Sequence, residues 1–392
     1  MNSKVMLSVV AVMLLVFYGC EQVESNNESN SGNNDHHETR EIGSQYESIY
    51  LSRIAEFENP WSVAFKPNGE MLVTERSGAL YSVDESGNTT EISGLPEIQD
   101  DGQGGLMEVS LHPDYESNGW VYLTYSKPNG GDQTATALAR AQLDGNSLVD
   151  LEDIFVQNQY SSPGRHYGSR IAWTNDGHLL LSIGDRGADP PRAQDTQDHA
   201  GTLLRLYDDG SVPDDNPFVG DDEVLDEIYS YGHRNIQGLV VDPDTDQIWA
   251  TEHGPRGGDE LNLIEAGNNY GWPTVSLGYD YRTQDKYDFT EGRRMEGMVD
   301  PVYEFLPTHA PSGLALVTAD NFPNWEGDLL AGGLRAERIR RLVYNPEEVL
   351  HDEELLLKEI GRIRDVREGH DGNIYVLTDH ASGGLYKMEP AN

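Results

Sequence analysis

Along the chain, apolar positions gather into pairs of short runs, each pair split by a Pro/Asn/Asp-Gly turn and followed by a polar loop. The unit occurs as WSVAFKPNGEMLVTER from Trp61, MEVSLHPDYESNGWVYLTYS from Met107 and SRIAWTNDGHLLLSIGD from Ser169. It returns as QGLVVDPDTDQIWATEH from Gln237, SGLALVTADNFPNWEGDLLAGG from Ser312 and IRDVREGHDGNIYVLTDH from Ile363. Alternating or continuous apolar residues on both sides of a turn signal predict a β-hairpin in each copy. The turns lie about 45 to 80 residues apart, the size of a four-stranded blade with insertions. The pattern therefore predicts an all-β, six-bladed β-propeller with four-stranded antiparallel blades. A strand over Ile49–Phe57 is expected to pair near Leu385–Met388 and close the ring. A β-sandwich, or two smaller β domains, accommodates six spaced copies less well.

The segments leaving the second strand of each hairpin are TERSG, TYSKP, SIGDRG, ATEHGP, AGGLR and LTDHASG. They are polar and glycine-rich, as expected where backbone crowds a ligand, so the functional site belongs on that face.

The N-terminus departs from this pattern. Lys4 precedes an apolar run from Val5 to Tyr18, too short for a comfortable membrane span, which marks a processing segment. It ends at Gly19-Cys20, which holds the chain's one cysteine and has the look of a bacterial lipobox. Residues 1–19 are expected to be a lipoprotein-type signal peptide with Cys20 lipidated, 20–47 a flexible polar tether, and 48–392 the propeller. An ordinary signal peptide with an incidental cysteine is the alternative. The lipidated form would be exported, periplasmic and anchored to the outer membrane. Charge then limits the partners: 68 acidic against 27 basic residues give a net charge of −41. Such a field repels nucleic acid and anionic membrane, leaving the lipid as the one expected membrane contact.

Four constellations carry candidate chemistry. His166, in SSPGRHYGSRIAW, sits in a Gly-flanked loop before a repeat strand, where a near-neutral base could project inward. His233, Arg234 and Asn235 precede the fourth repeat; Arg-Asn offers a cationic fork and an amide to an oxygen gaining charge, or simply satisfies loop carbonyls. Seven arginines fall between Arg335 and Arg367. In RAERIRRL alternation puts Arg338 and Arg340 on one face and Arg341 on the other, mostly solvated. Arg335, Arg362 and Arg364 are better placed for the central face, and such basic clustering in an acidic chain suggests a small polyanion. Lastly, HGPRGGDELNLIEAGNNYGWP, from His253, carries five glycines around Asp259-Glu260. Calcium readily combines carboxylates with backbone carbonyls, which Gly254, Pro255 and Glu260 could supply, although the spacing is not an EF-hand. Glu260 could equally be an exposed strand residue.

Together, GQGGLMEVSLHP, RHYGSRIAW, SIGDRG, YSYGHRN, EHGPRGGDELNLI, NNYGWP, APSGLA and RIRDVREGHDGNIYVLTD resemble the soluble pyrroloquinoline quinone (PQQ)-dependent aldose sugar dehydrogenases, from about Ser52 to Pro390. The resemblance implies PQQ on the central face and oxidation of an aldose at C1 to the lactone. It makes His166 the base and Arg234 the stabiliser of the reduced quinone oxygen, with Asn235 beside it. Gln103 matches a cofactor contact, Arg335, Arg362 and Arg364 surround the PQQ carboxylates, and Tyr281 and Thr308 are further pocket candidates. Gly254 and Pro255 match carbonyl donors to the calcium that polarises PQQ; Glu260 and Tyr270 match ligands of a separate structural calcium. The family has lysine where Arg335 stands. Arg165 also departs, since some glucose dehydrogenases place an acid before the histidine, which leaves open what orients His166. The insertion from Tyr279 to Arg294 lies where a substrate pocket could be built. An external electron acceptor is implied without being identified. A non-enzymatic sugar- or protein-binding propeller and a calcium-dependent propeller lactonase are the competing readings.

Overall fold

The computed structural model describes residues 39–391, apart from 163 and 358. The expected signal peptide, Cys20 and the tether as far as 38 lie outside the described residues. Six antiparallel sheets follow one another along the chain, and the six predicted hairpins form their inner pairs. The innermost strands are Pro60–Phe65, Leu106–Leu111, Ile171–Trp173, Ile236–Val241, Pro311–Leu316 and Ile363–Glu368. Each packs beside the next and the last packs beside the first, so the sheets are six blades of a closed β-propeller. Helix is limited, among the described residues, to Tyr115–Asn118 and a 3₁₀ turn at Pro190–Gln194.

The second strands are buried on both faces because each blade is covered by a neighbour on either side. Leu179–Ile183 shows how. Leu179, Leu181 and Ile183 pack with Tyr122 and Leu138 of the second blade, whereas Leu180 joins Ile236, Leu239 and Ile248 of the fourth. One strand thus feeds two interblade cores through its period of two, which is why its sequence is apolar throughout.

The sixth blade closes the ring as expected: Ser48–Phe57 pairs with Gly383–Pro390, placing Leu51 opposite Met388 and Ala55 opposite Leu385. One boundary moves. Thr39–Gly43, expected within the tether, pairs with Ser48–Ser52 as a fifth strand on that blade. An outer edge strand needs few apolar residues; here Ile42 alone packs on the core. The turn after it is fastened to the fifth blade, where Glu353 accepts the Gln45 N–H at 2.5 Å and Glu47 accepts from the Asn324 side chain at 2.9 Å.

Arginines that the alternation left solvated are instead buried. Arg341 pairs with Asp328 at 2.5 Å and Glu353 at 2.9 Å, and Arg340 donates to the Tyr303 hydroxyl at 2.7 Å. Their partners come from other strands, so the local pattern could not reveal them. The propeller axis holds a second buried network. Arg170 bonds Glu108 at 2.8 Å and Asp365 at 2.9 Å, donates to the Gln237 carbonyl at 2.6 Å and lies 4.2 Å over the Trp61 ring. It therefore ties together residues from the first, second, third, fourth and sixth blades. Removing one member of such a buried network strands the others' charge, so Arg170→Ala should destabilise the fold by roughly 3–5 kcal/mol. Urea unfolding measures this, and a loss below about 1 kcal/mol would show that the axial network contributes little.

Candidate active site

His166 leaves the second blade in a loop where its φ is +53°. A non-glycine residue in this region costs about 1 kcal/mol, so the surroundings must hold it there. Its N–H donates to Gln103 Oε1 at 2.8 Å. Its Nδ1 meets Asp185 Oδ1 at 2.6 Å, with the imidazole 13 % exposed and Asp185 fully buried. Asp185 comes from the SIGDRG exit loop and also accepts from Gly187 N at 2.8 Å and from Trp272 Nε1 at 2.7 Å. A buried carboxylate that already accepts two N–H bonds favours its ionised form, so Nδ1 carries the hydrogen toward it and Nε2 keeps its lone pair.

Burial, then the Arg234 cation, push the His166 pKa below its ordinary 6.5, against the opposing pull of Asp185. The shift favours the neutral ring. Burial alone would raise Asp185, but His166 and Arg234 outweigh it and hold the carboxyl below its ordinary range. Arg165, the departure from the family pattern, turns aside to donate to the Gly187 carbonyl at 2.6 Å. Asp185 orients the imidazole in its place.

Arg234 approaches His166 Nε2 at 3.4 Å, donates to the His253 carbonyl at 3.0 Å and lies 5.3 Å over Trp272. Its guanidinium pairs with no carboxylate among the described residues, leaving charge available for an oxygen that becomes anionic. Asn235 accepts from Gly168 N at 3.0 Å and so pins the His166 loop. His233 is structural: it is buried between the Ser230 hydroxyl at 2.9 Å and Glu252 at 3.3 Å. The insertion supplies an aromatic wall, with Tyr287 stacked on Phe289 at 4.9 Å and both rings edge-on to Trp272. Tyr281, the expected pocket residue, is 62 % exposed. The chain folds back after it, so Tyr287 occupies the place beside Trp272.

The glycine-rich loop is tied down by Asp259, which accepts from Gly254 N at 3.1 Å and from His309 and Ala310 N at 2.9 and 2.8 Å. Gly258 has φ +70°, and a Cβ there would lie 2.4 Å from Gly278 N, so the loop's tight path requires glycine. Gly254, Pro255, Glu252, Glu260 and Tyr270 line one cavity. Across the fourth blade Glu252 stands opposite Glu260, and Glu260 opposite Glu304. Like charges in register repel. Burial, then Glu252, drive the Glu260 pKa well above its ordinary value. The carbonyls of Gly254, Pro255 and Tyr270 receive no donor from the described residues. Nor do these residues include a cluster of three His, Cys, Asp or Glu side chains fit to bind a metal. A cation here would have to combine carboxylates with backbone oxygens, as calcium does. Glu252 escaped the sequence reading although it ends an exit loop's strand; only strand register aligns it with Glu260.

The arginines divide. Arg364 is buried, bonds Asp379 at 3.0 Å and has an Nε without a partner. It also reaches the His166 loop through Gln237, whose Nε2 donates to the Gly168 carbonyl at 2.8 Å. Arg362 shares Asp379 at 2.9 Å with its side chain 47 % exposed. Arg335 is exposed, and Thr308 is half-buried just before His309. The structure thus joins His166, Asp185, Arg234, Asn235, Gln103 and Trp272 directly; it records no such contact for Arg335, Thr308 or Tyr281.

The glucose/sorbosone dehydrogenase family matches residues 57–387. The chain is 44 % identical over 354 residues to a Synechocystis protein of uncharacterised role, slr1608, covering 85 % of this chain and 84 % of that one. It is 38 % identical over 339 residues to aldose sugar dehydrogenase YliI of Escherichia coli, covering 86 % of this chain and 91 % of that one. The structure resembles the PQQ-bound form of an aldose sugar dehydrogenase from Streptomyces coelicolor, with a TM-score of 0.72 and 28 % identity over 88 % of this chain and 98 % of that one. The family match across the whole ring, with 38 % identity to the Escherichia coli enzyme over most of both chains, establishes that the chain belongs to the glucose/sorbosone dehydrogenase family of oxidoreductases.

Proposed function

We propose that the protein oxidises the C1 hydroxyl of aldoses to lactones, using PQQ, with the proton passing to His166. The observation that carries this is the Asp185–His166–Arg234 line, in which Nε2 lies 3.4 Å from a guanidinium that pairs with no carboxylate among the described residues. PQQ, when bound, would supply the redox chemistry as the hydride acceptor. The chain's own donors suit a polycarboxylate: in a protein of net charge −41, Arg234 has no acidic partner among the described residues and buried Arg364 has an orphan Nε. Gln103, Arg234, Asn235, Thr308, Arg335, Arg362 and Arg364 are the residues that would hold it.

His166 Nε2 takes the hydroxyl proton. Asp185 fixes the tautomer and stabilises the imidazolium that forms. Arg234 offers its charge to oxygen, and Trp272, Tyr287 and Phe289 give a sugar ring an apolar face and exclude water. Reconstitution with PQQ and Ca²⁺, followed by dye reduction across an aldose panel, tests the reading. No turnover on any aldose would sink it, and hydrolysis of sugar lactones without PQQ would favour the lactonase reading.

Calcium belongs to the same proposal. Gly254 and Pro255 would offer carbonyls beside the cofactor, while Glu260 and Tyr270 would hold a second ion, with Glu252 in register to join them. Neutralising one of the facing carboxylates relieves repulsion but removes a ligand. Glu260→Gln should therefore melt higher than the wild type in EDTA and lose most of the wild type's gain on adding Ca²⁺. That gain is about 2.7 kcal/mol at a hundredfold excess over Kd. Differential scanning calorimetry in both media reads the two signs; equal Ca²⁺ gains in wild type and variant would exclude this ligand. Export as an outer-membrane-anchored lipoprotein rests on the Cys20 pattern, and absence of palmitate labelling in Cys20-containing protein would refute it.

A further inference from the structure

Two adjacent residues of one exit loop hold His166, and they hold different parts of it. Asp185 takes the ring. Arg186 takes the backbone: its Nη1 donates to the Arg165 carbonyl at 2.5 Å, and its N–H donates to the His166 carbonyl at 3.3 Å. Arg186 is fully buried yet forms no ion pair with a carboxylate among the described residues. Its guanidinium lies 3.5 Å from the centroid of the Tyr167 ring and donates to Thr134 Oγ1 at 3.1 Å; its Nε has no partner. Thr134 in turn bonds the Tyr167 hydroxyl at 2.7 Å. The cation is thus spent on a carbonyl before His166 and a ring after it.

The glycines flanking the pair point the same way. A Cβ on Gly184 would lie 2.1 Å from the His166 carbonyl, and one on Gly187 would lie 2.3 Å from Arg165 Nε. The two loops are interlocked at backbone distance, and both His166 and Arg186 stand at positive φ, +53° and +61°. Nothing else among the described side chains donates to the Arg165 carbonyl.

We infer that Arg186 is a positioning residue for the base: it holds the main chain of His166 in its left-handed conformation and so aims Nε2, without touching substrate. The inference rests on the reading of His166 as the base. Removing the guanidinium strands no carboxylate, so the stability cost is that of lost neutral hydrogen bonds, about 1–3 kcal/mol; the larger effect falls on geometry, where a shift of about 1 Å can cost a hundredfold in rate.

Arg186→Gln and Arg186→Lys separate this from a filling role. In the reconstituted enzyme Arg186→Gln should lower kcat by roughly 10- to 100-fold, with KM little changed and a melting temperature lowered by only a few degrees. Arg186→Lys, able to reach only one of the two acceptors, should recover part of the rate. In the cofactor-free protein, ring NMR reports His166 independently of turnover. The groups facing that ring are Asp185, Arg234 and Arg165. A ring released from its buried place should titrate nearer to 6.5 in Arg186→Gln than in the wild type. A wild-type kcat and an unmoved titration in Arg186→Gln, beside a disabled His166→Asn, would overturn this inference alone. A wild-type kcat in His166→Asn would overturn the base assignment and this inference with it.

Discussion

Asp185→Asn should lower kcat by about 10³- to 10⁴-fold while the protein folds and still binds PQQ. Three donors converge on this carboxylate: His166 Nδ1, Gly187 N and Trp272 Nε1. An amide can accept at only one of its two heavy atoms. With its NH₂ toward His166, the imidazole must move its hydrogen to Nε2, and the atom that should receive the proton is blocked. With its NH₂ toward Trp272, two buried donors face each other, which costs about 1–3 kcal/mol, and the negative charge that stabilises the imidazolium is gone in either case. Steady-state dye reduction, with PQQ titrated by absorbance, measures it. A loss of less than tenfold would mean that Asp185 does not set the tautomer.

His166→Ala should lower kcat by about 10²- to 10⁴-fold, the range for a removed general base, and leave PQQ stoichiometry unchanged. The wild-type pH profile carries the same assignment. The base must be neutral, and burial together with Arg234 holds its pKa below 6.5. The acid limb of kcat/KM should therefore fall below pH 6.5, with activity level between there and neutrality. His166→Ala should abolish that limb along with the rate. A variant that kept both would place the proton elsewhere.

The fold was legible because each blade repeats one local signal, an apolar pair of strands about a turn, and burial between blades makes that signal strong. Thr39–Gly43 was hidden for the converse reason: an edge strand is held by backbone pairing and one isoleucine. In the site, His166, Arg234 and Asn235 stood out as residue types in glycine-flanked loops. Asp185 lay in a segment already recognised as an exit loop, but its contact with His166 depends on two loops interlocking at positive φ. Glu252 and Glu260 become neighbours only through strand register. Tyr281 and Tyr287 are six positions apart in an insertion with no periodicity, and only the fold shows that Tyr287 packs against Trp272 while Tyr281 is exposed. The buried arginines Arg340 and Arg341 read as solvated because carboxylates distant along the chain neutralise them.

The ring closure has a kinetic consequence. The strand Ser48–Phe57 lies between Thr39–Gly43 and Gly383–Pro390 in the sixth blade, so Leu51 waits for Met388, more than three hundred positions later in the chain. Pairing at such separation is slow. Until then the first-blade face that packs on the sixth blade and the early strand remain uncovered, with open edges that invite association with other chains. Any cellular route that delivers this protein folded must keep the strand Ser48–Phe57 free until Gly383–Pro390 has been made.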